Sequence, residues 1–272
     1  MSQSSKGDRG RGPLERRIRA AYRRLLRPVL GTPIRQQRVK LLYYLLGYLR
    51  LWKIPQLTNR QRVGMLRRFL RIDWRIPHAH LPMEIAYIAE ALADRPAKPG
   101  EALVEAGCWQ GGSSTKFSIL CKELGYDLHI YDSFEGVEAL NAEEQSKEWD
   151  LAGQYASPES RLMENLEQYG EVDVCSVHPG WFSETLATGP TPFPVRVAYI
   201  DCDLGKGTLE VLQGVVPSLA SDGVVFSQDF HIAPVRQVLR DPETWRSLGC
   251  AAPQEERLGF SLARFRVSGA GR

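Results

Sequence analysis

The 272-residue chain has no apolar run approaching the roughly 18–20 residues that a membrane-spanning helix needs. Its five cysteines (Cys108, Cys121, Cys175, Cys202 and Cys250) are scattered, odd in number and free of any CxxC pair. That argues against a disulfide framework and a zinc ribbon, and for reduced thiols in a cytoplasmic protein. The opening residues MSQSSKGDRGRG hold no apolar core, so a secretory signal is not expected. A GxGxxG dinucleotide turn is missing, because position 109 is Trp, and no GK[ST] Walker sequence follows the glycines. His78, His80, His129 and His178 show no ligand-like spacing and receive no role. With 43% hydrophobic and 25% charged residues, disordered and fibrous classes are excluded as well.

Charge is present but unevenly divided. Residues 1–75 carry 20 Lys/Arg against 3 Asp/Glu, whereas the rest holds 15 basic and 29 acidic residues. This predicts a disordered tail over 1–12, a basic helical arm with lid or oligomerisation helices over 13–98, and an acidic body over 99–268. Within the arm, Leu14–Leu30 fits an amphipathic helix, and Val39–Trp52 is strongly apolar with basic flanks. The second segment suits either of two roles. It can lie on an anionic membrane with Trp52 and the tyrosines at headgroup depth, or pack on the body or on a second subunit in a homodimer. No nucleic-acid module accompanies the arginines, so no nucleic-acid partner is expected.

Beyond Glu101, short apolar runs alternate with helical stretches. Strands are expected at Ala102–Ala106, Leu128–Asp132, Val172–His178, Val195–Asp201 and Val224–Asp229, and helices at Ser114–Leu124, Pro158–Tyr169 and Thr208–Leu219. This alternation predicts an α/β fold with a doubly wound, mostly parallel sheet. Ala251–Arg257 and Gly259–Val267 read as an antiparallel hairpin at the sheet edge.

The strongest local signal is ALVEAGCWQGGSS, residues 102–114. A buried strand ends in Glu105, and Gly107, Gly111 and Gly112 admit a sharp turn into a helix whose first N–H groups are free for an anion. Acid-x-Gly-x-x-x-Gly is the pattern expected where S-adenosylmethionine binds. Asp132 ends the next strand in HIYDSFEG, some 25 residues on, where a carboxylate accepts hydrogen bonds from two ribose hydroxyls. A turn cap is its plainer role.

VEAGCWQGGSS, DSFEG, ENLEQYG, PGWFSETL, YIDCDLGKGT and FSQDF follow one another through the chain. Together they resemble the successive signatures of the macrocin-type sugar O-methyltransferases of antibiotic biosynthesis, over about residues 55–267. The resemblance implies a class I methyltransferase (Rossmann-like) sheet of seven strands and an O-methyltransferase using S-adenosylmethionine on a hydroxylated or glycosylated small molecule. It implies that Glu105, Gly107, Gly111 and Ser113 line the methionine portion and Asp132 the ribose, with Ser133 and Phe134 beside it. Gly180, Trp181 and Phe182 would approach the adenine. It further implies Mg²⁺ held by Asp201, Gln228 and Asp229, with Asp201 as the base for the acceptor hydroxyl.

Two departures fall in that last region. Gln228 replaces an acid of the family pattern, and Gly205-Lys206-Gly207 replaces an aromatic-containing segment. If the metal is lost, His231 becomes the alternative base. The acidic stretch with Glu135, Glu138, Glu143, Glu144, Glu148 and Asp150 is long enough for a lid. Methylation of a membrane- or polysaccharide-linked sugar, or cofactor-fold binding without catalysis, are the competing readings.

Overall fold

The computed structural model describes residues 42, 44–140 and 151–267. The tail, Leu14–Leu30 and most of the acidic stretch therefore lie outside the described residues. The described residues from Gly47 onward form one compact unit, and the sheet and the site lie within it. Among the described residues no helix is long and apolar enough to cross a membrane.

The end of the apolar segment 39–52 is not free for headgroups. Tyr48 and Leu51 are fully buried, and the Tyr48 hydroxyl donates to Asp73 Oδ2 at 2.8 Å. Arg50 forks onto Glu90 at 2.9 and 2.6 Å and stacks over Tyr87. Tyr48 is thus a core residue, which corrects its assignment to a membrane surface; Trp52 stays exposed. Part of the basic excess is also met locally, since Arg68 pairs with Glu171.

Helix α1 (Asn59–Arg75) opens on a capping box in which Thr58 Oγ1 accepts from Gln61 N and Gln61 Oε1 accepts from Thr58 N. It buries Met65, Phe69, Ile72 and Asp73, one face at helical spacing. It stops at Ile76, which is extended because Pro77 follows. Helix α2 (Pro82–Leu92) begins with proline at its first turn, where a missing N–H costs nothing.

The sheet comprises β1 (Ala102–Ala106), β2 (Asp127–Asp132), β3 (Cys175–Pro179), β4 (Val195–Ile200), β5 (Leu219–Ser227), β6 (Gln254–Arg257) and β7 (Ala263–Arg266). Its order is β3-β2-β1-β4-β5-β7-β6. The first five strands are parallel, and β7 is antiparallel to both β5 and β6, so the hairpin forms one edge as expected. Every residue of β1 and β4 is buried, which is why these central strands are mainly apolar, interrupted only by Glu105 and Arg196. Between them run α3 (Gly112–Leu124), α4 (Glu159–Tyr169), the single turn α5 (Phe182–Thr185), α6 (Gly205–Val215), α7 (Ala233–Arg240) and α8 (Pro242–Ser247).

Several expected boundaries move. Val172–Val174 is a 3-10 turn, and β3 begins only at Cys175. The helix expected to reach Leu219 ends at Val215, because Pro217 has no N–H to continue it and sits in a 3-10 turn over Val216–Ser218. Leu219 instead pairs with Val195 and starts β5.

At the amino end of the sheet, Arg196 of β4 is buried and donates to Ala91 O at 3.0 Å and to Asp222 O. Arg95 joins Glu101 and Asp222 across the same edge. Its hydrogen bond holds the Asp222 carboxyl down at about 2 despite partial burial.

The strand order reverses between β1 and β4, and there the two chains nearly touch. Gly107 has φ +88°, and a Cβ on it would lie 1.8 Å from the Asp201 carbonyl oxygen. Only glycine fits. We expect Gly107→Ala to cost about 2–5 kcal/mol, from left-handed backbone strain together with overpacking. Urea unfolding of the two proteins measures this, and equal midpoints would contradict the close approach.

Candidate active site

A cleft of about 330 Å³ opens over the carboxyl ends of β1, β2, β4 and β5. Each strand hands its ladder to the residue after it. Gly107 N donates to Tyr131 O, Asp201 N to Ala106 O and Gln228 N to Ile200 O, all at 2.9 Å, and Gly180 N donates to Asp132 O at 3.0 Å. The side chains just past the strands are therefore held at fixed depth.

Of the residues singled out from the sequence, ten line this cleft: Gly107, Ser113, Asp132, Ser133, Trp181, Phe182, Asp201, Gln228, Asp229 and His231. Glu105, Gly111, Phe134 and Gly180 do not. Gly111 is the left-handed cap of α3, and Phe134 and Gly180 carry positive-φ turns, so all three shape the loops from behind. Among the described residues four non-glycine positions take left-handed backbone, Trp109, Phe134, Tyr155 and Asp203, and all but Phe134 line the cleft.

Asp132 performs the capping role directly. Its Oδ2 accepts from Cys108 N at 2.7 Å and Trp109 N at 3.2 Å, and its Oδ1 accepts from Phe134 N at 2.7 Å. The carboxylate thus ties the glycine turn to β2. An ionised carboxylate offers about four acceptor sites, so with three taken one lone pair of Oδ1 is left for the cleft. Trp109 then meets Tyr155 edge-on at 5.5 Å, and the ends of the acidic stretch are pinned by Val137 N→Gln154 O and Gly153 N→Val137 O, both 2.9 Å.

The second cluster lies after β4 and β5. Asp229 is buried, and its Oδ2 accepts from Cys202 N at 2.9 Å and Asp203 N at 2.7 Å. With its amide nitrogen turned inward, Gln228 donates to Asp229 Oδ1 at 2.9 Å and Asp201 Oδ1 at 3.3 Å. Burial, and then the charges of Asp229 and Asp203, push the Asp201 carboxyl well above its usual range. Burial, ahead of the Asp203 charge, raises Asp229 to about 7 against the pull of the two backbone N–H groups. Asp203, whose carboxyl burial also raises, belongs to this cluster but was not singled out in the sequence. The signal was present, since it stands two residues after Asp201.

Several sequence features take other parts. Lys206 pairs with Glu138, a cleft residue, at 2.6 Å. His231 sits exposed on the rim with its ring 5.4 Å from that of Phe260. Cys108 and Cys202 line the cleft, yet burial raises both thiols well above their usual range, which leaves them protonated and unreactive. Pro77–His80, from the segment between α1 and α2, forms a wall that no periodicity or motif indicated.

A doubly wound sheet with a glycine turn, an acid ending β2 and acids after β4 and β5 defines a class I methyltransferase. The fold is similar to that of the O-methyltransferase NovP (20% identity, TM-score 0.59, 72% of this chain and 84% of that one). It is also similar to that of the calicheamicin methyltransferase CalS11 (20% identity, TM-score 0.51, 97% and 99%). Residues 86–249 match the family Macrocin-O-methyltransferase (TylF). The chain is 31% identical over 189 residues to 8-demethyl-8-(2,3-dimethoxy-alpha-L-rhamnosyl)-tetracenomycin-C 4'-O-methyltransferase of Streptomyces olivaceus, covering 64% of this chain and 71% of that protein. It is 26% identical over 160 residues to mycinamicin III 3''-O-methyltransferase of Micromonospora griseorubida, covering 54% and 61%. The chain belongs to the macrocin O-methyltransferase family and is an S-adenosylmethionine-dependent O-methyltransferase.

Glu105 lies beneath the glycine turn, wholly buried, and neither of its carboxylate oxygens has a hydrogen-bond partner. Burial raises its carboxyl to about 8, with Ser113 and Ser114 close enough to offset part of the shift. An acid raised above its unfolded value near 4.5 makes the native state bind the extra proton, so stability falls as pH rises from about 4.5 to 8. Glu105→Gln removes that titration. The variant's stability relative to the native protein should increase between pH 5 and pH 8.5, by about 1.4 kcal/mol per pH unit at the steepest. Denaturation at both pH values checks this; a constant difference would contradict a raised Glu105.

Proposed function

We propose that the cleft presents S-adenosylmethionine to a sugar hydroxyl of a glycosylated natural product, with Asp201 taking the hydroxyl proton. The observation that carries this is the group formed by Asp201, Gln228 and Asp229 facing the same cleft as Asp132 and the glycine turn. The curated relatives bear names that specify a rhamnosyl-tetracenomycin and mycinamicin III as acceptors, which supports a sugar hydroxyl here.

Each residue then has a physical task. Asp132, already oriented by three backbone N–H groups, accepts from the ribose through Oδ1. Trp181 and Phe182 flank the adenine, and Ser133 stands beside the ribose. Gly107 and Ser113 border the methionine portion, with Gly111 shaping the turn behind them and the buried Glu105 beneath it. Asp201 lies beside the acceptor oxygen and removes its proton as methyl transfer proceeds. Its raised affinity for protons, caused by burial and by two neighbouring acids, suits a base.

The donor set also fits Mg²⁺. With its carbonyl oxygen turned inward, Gln228 brings three oxygens together at 2.9 and 3.3 Å from the central one. Neighbouring ligands of an octahedral Mg²⁺ with bonds of about 2.1 Å are about 3 Å apart. Asp201, Gln228 and Asp229 would hold the ion, which supplies charge that favours the ionised acceptor oxygen. A carboxylate at 228 would add a full negative charge. Calorimetry with S-adenosylhomocysteine present should therefore show Mg²⁺ binding that tightens on the order of tenfold in Gln228→Asp. No Mg²⁺ binding by either protein would rule the metal out.

Asp201→Asn keeps the size of the side chain and removes its charge. Turnover on a glycoside acceptor should fall about a hundredfold or more. Affinity for S-adenosylhomocysteine should stay within about threefold, because no ribose or adenine contact is lost. Near-native turnover would transfer the base role to His231 on the rim. We place the enzyme in the cytoplasm; contact of its basic arm with anionic membrane stays part of this reading, supported by the charge asymmetry of the sequence, and a homodimer by the apolar character of segment 39–52.

A further inference from the structure

Two apolar side chains stand exposed just outside the cleft, on segments that hydrogen bonds hold in place. Phe260, at the tip of the β6–β7 hairpin, is 72% exposed, and Leu81, which precedes α2, is 42% exposed. Single exposed apolar residues are ordinary on a protein surface and need no explanation. These two differ because both are fixed beside residues that line the cleft.

The hairpin tip is closed by Leu258 N→Leu262 O and bolted to the segment after β5 by Phe230 N→Ser261 O, both 3.0 Å. Arg236 holds that segment in turn, donating to Phe230 O and His231 O at 3.2 Å. The Phe260 ring consequently lies 5.4 Å from the ring of His231, a cleft-lining residue. Leu81 directly follows His80, which lines the cleft as well.

One buried acid joins the two segments. Glu84 Oε2 accepts from Leu81 N at 2.8 Å, and its Oε1 accepts from Ser261 Oγ at 2.9 Å. Glu84 is buried, and that burial raises its carboxyl above the usual range. A buried carboxyl is costly unless its hydrogen bonds are made, and here both oxygens serve the segments that bear Leu81 and Phe260. The two segments are thus fixed to each other as well as to the cleft.

Polarity changes across this mouth. Inside, Asp201, Asp203, Gln228 and Asp229 offer hydrogen-bonding groups to hydroxyls. Outside stand a phenyl ring and an isobutyl group. A sugar whose hydroxyl reaches Asp201 fills the polar part, and whatever that sugar is attached to leaves past the rim. Covering Phe260 and Leu81 is favourable where that attached group is itself apolar.

We propose that Phe260 and Leu81 form an apolar subsite outside the cleft that receives the aglycone of the acceptor and sets specificity for it. This rests on the reading of a sugar hydroxyl beside Asp201. The occupant is an apolar ring system linked to the reacting sugar.

Calorimetry on the full chain, with S-adenosylhomocysteine present, tests this with paired probes: the methyl and phenyl glycosides of L-rhamnose and of D-glucose. The native protein should bind the phenyl member of a pair about tenfold more tightly than the methyl member. In Phe260→Ser that preference should fall to within about threefold, with affinity for the methyl glycoside unchanged. Retained methyl glycoside binding shows that the variant is folded. Leu81→Ser should lower the preference in the same direction, and Phe260→Trp should retain it. Equal affinity for both members in the native protein, or an undiminished preference in Phe260→Ser, overturns the proposal. So does a halved sedimenting mass in Phe260→Ser, which would assign the ring to a second copy of the chain. If the native protein binds no glycoside of either sugar, the sugar reading itself fails and takes this one with it.

Discussion

The close approach of β1 and β4 at their carboxyl ends is the constraint on which the rest depends. With the Asp201 carbonyl against the Cα of Gly107, no side chain separates the two strands at the switch point. That contact brings the glycine turn and the acid cluster to opposite sides of one cleft. A bulkier residue would push them apart, and cofactor and acceptor subsites would lose their common floor. The outward-running strands on either side extend the floor to Asp132 and to Gln228–Asp229.

Charge is distributed around that floor by geometry. Burial raises the affinity of the acids on one side for protons, and their closeness to one another adds to the effect. Gln228 relieves this crowding in either orientation, as an amide donor to both acids or as an uncharged oxygen beside a cation. Lys116 is shielded from solvent and held by Asp73 and His80. No lysine or arginine stands in the described lining, so the fixed charges of the cleft are acids.

Much of this was legible in the primary structure. The strand-to-helix alternation, the glycine turn and the acids ending strands were readable because each depends on local properties: burial on both sheet faces, left-handed turns and the chemistry of one side chain. The errors were local as well. Pro217 ended a helix earlier than periodicity suggested, and the alternation of Val172–Val174 concealed a 3-10 turn.

What the order of residues determined by itself was the class of sheet, the family, and ten of the residues that line the cleft. Tertiary structure decided which acids share a site, that Asp203 is among them, and that Glu105 lies beneath the turn instead of in the cleft. It alone joined Tyr48, Asp73, His80 and Lys116, which are separated by up to 68 positions along the chain. No spacing rule reaches that far. A buried ammonium selects its partners by desolvation and distance, and those exist only after the helices have packed.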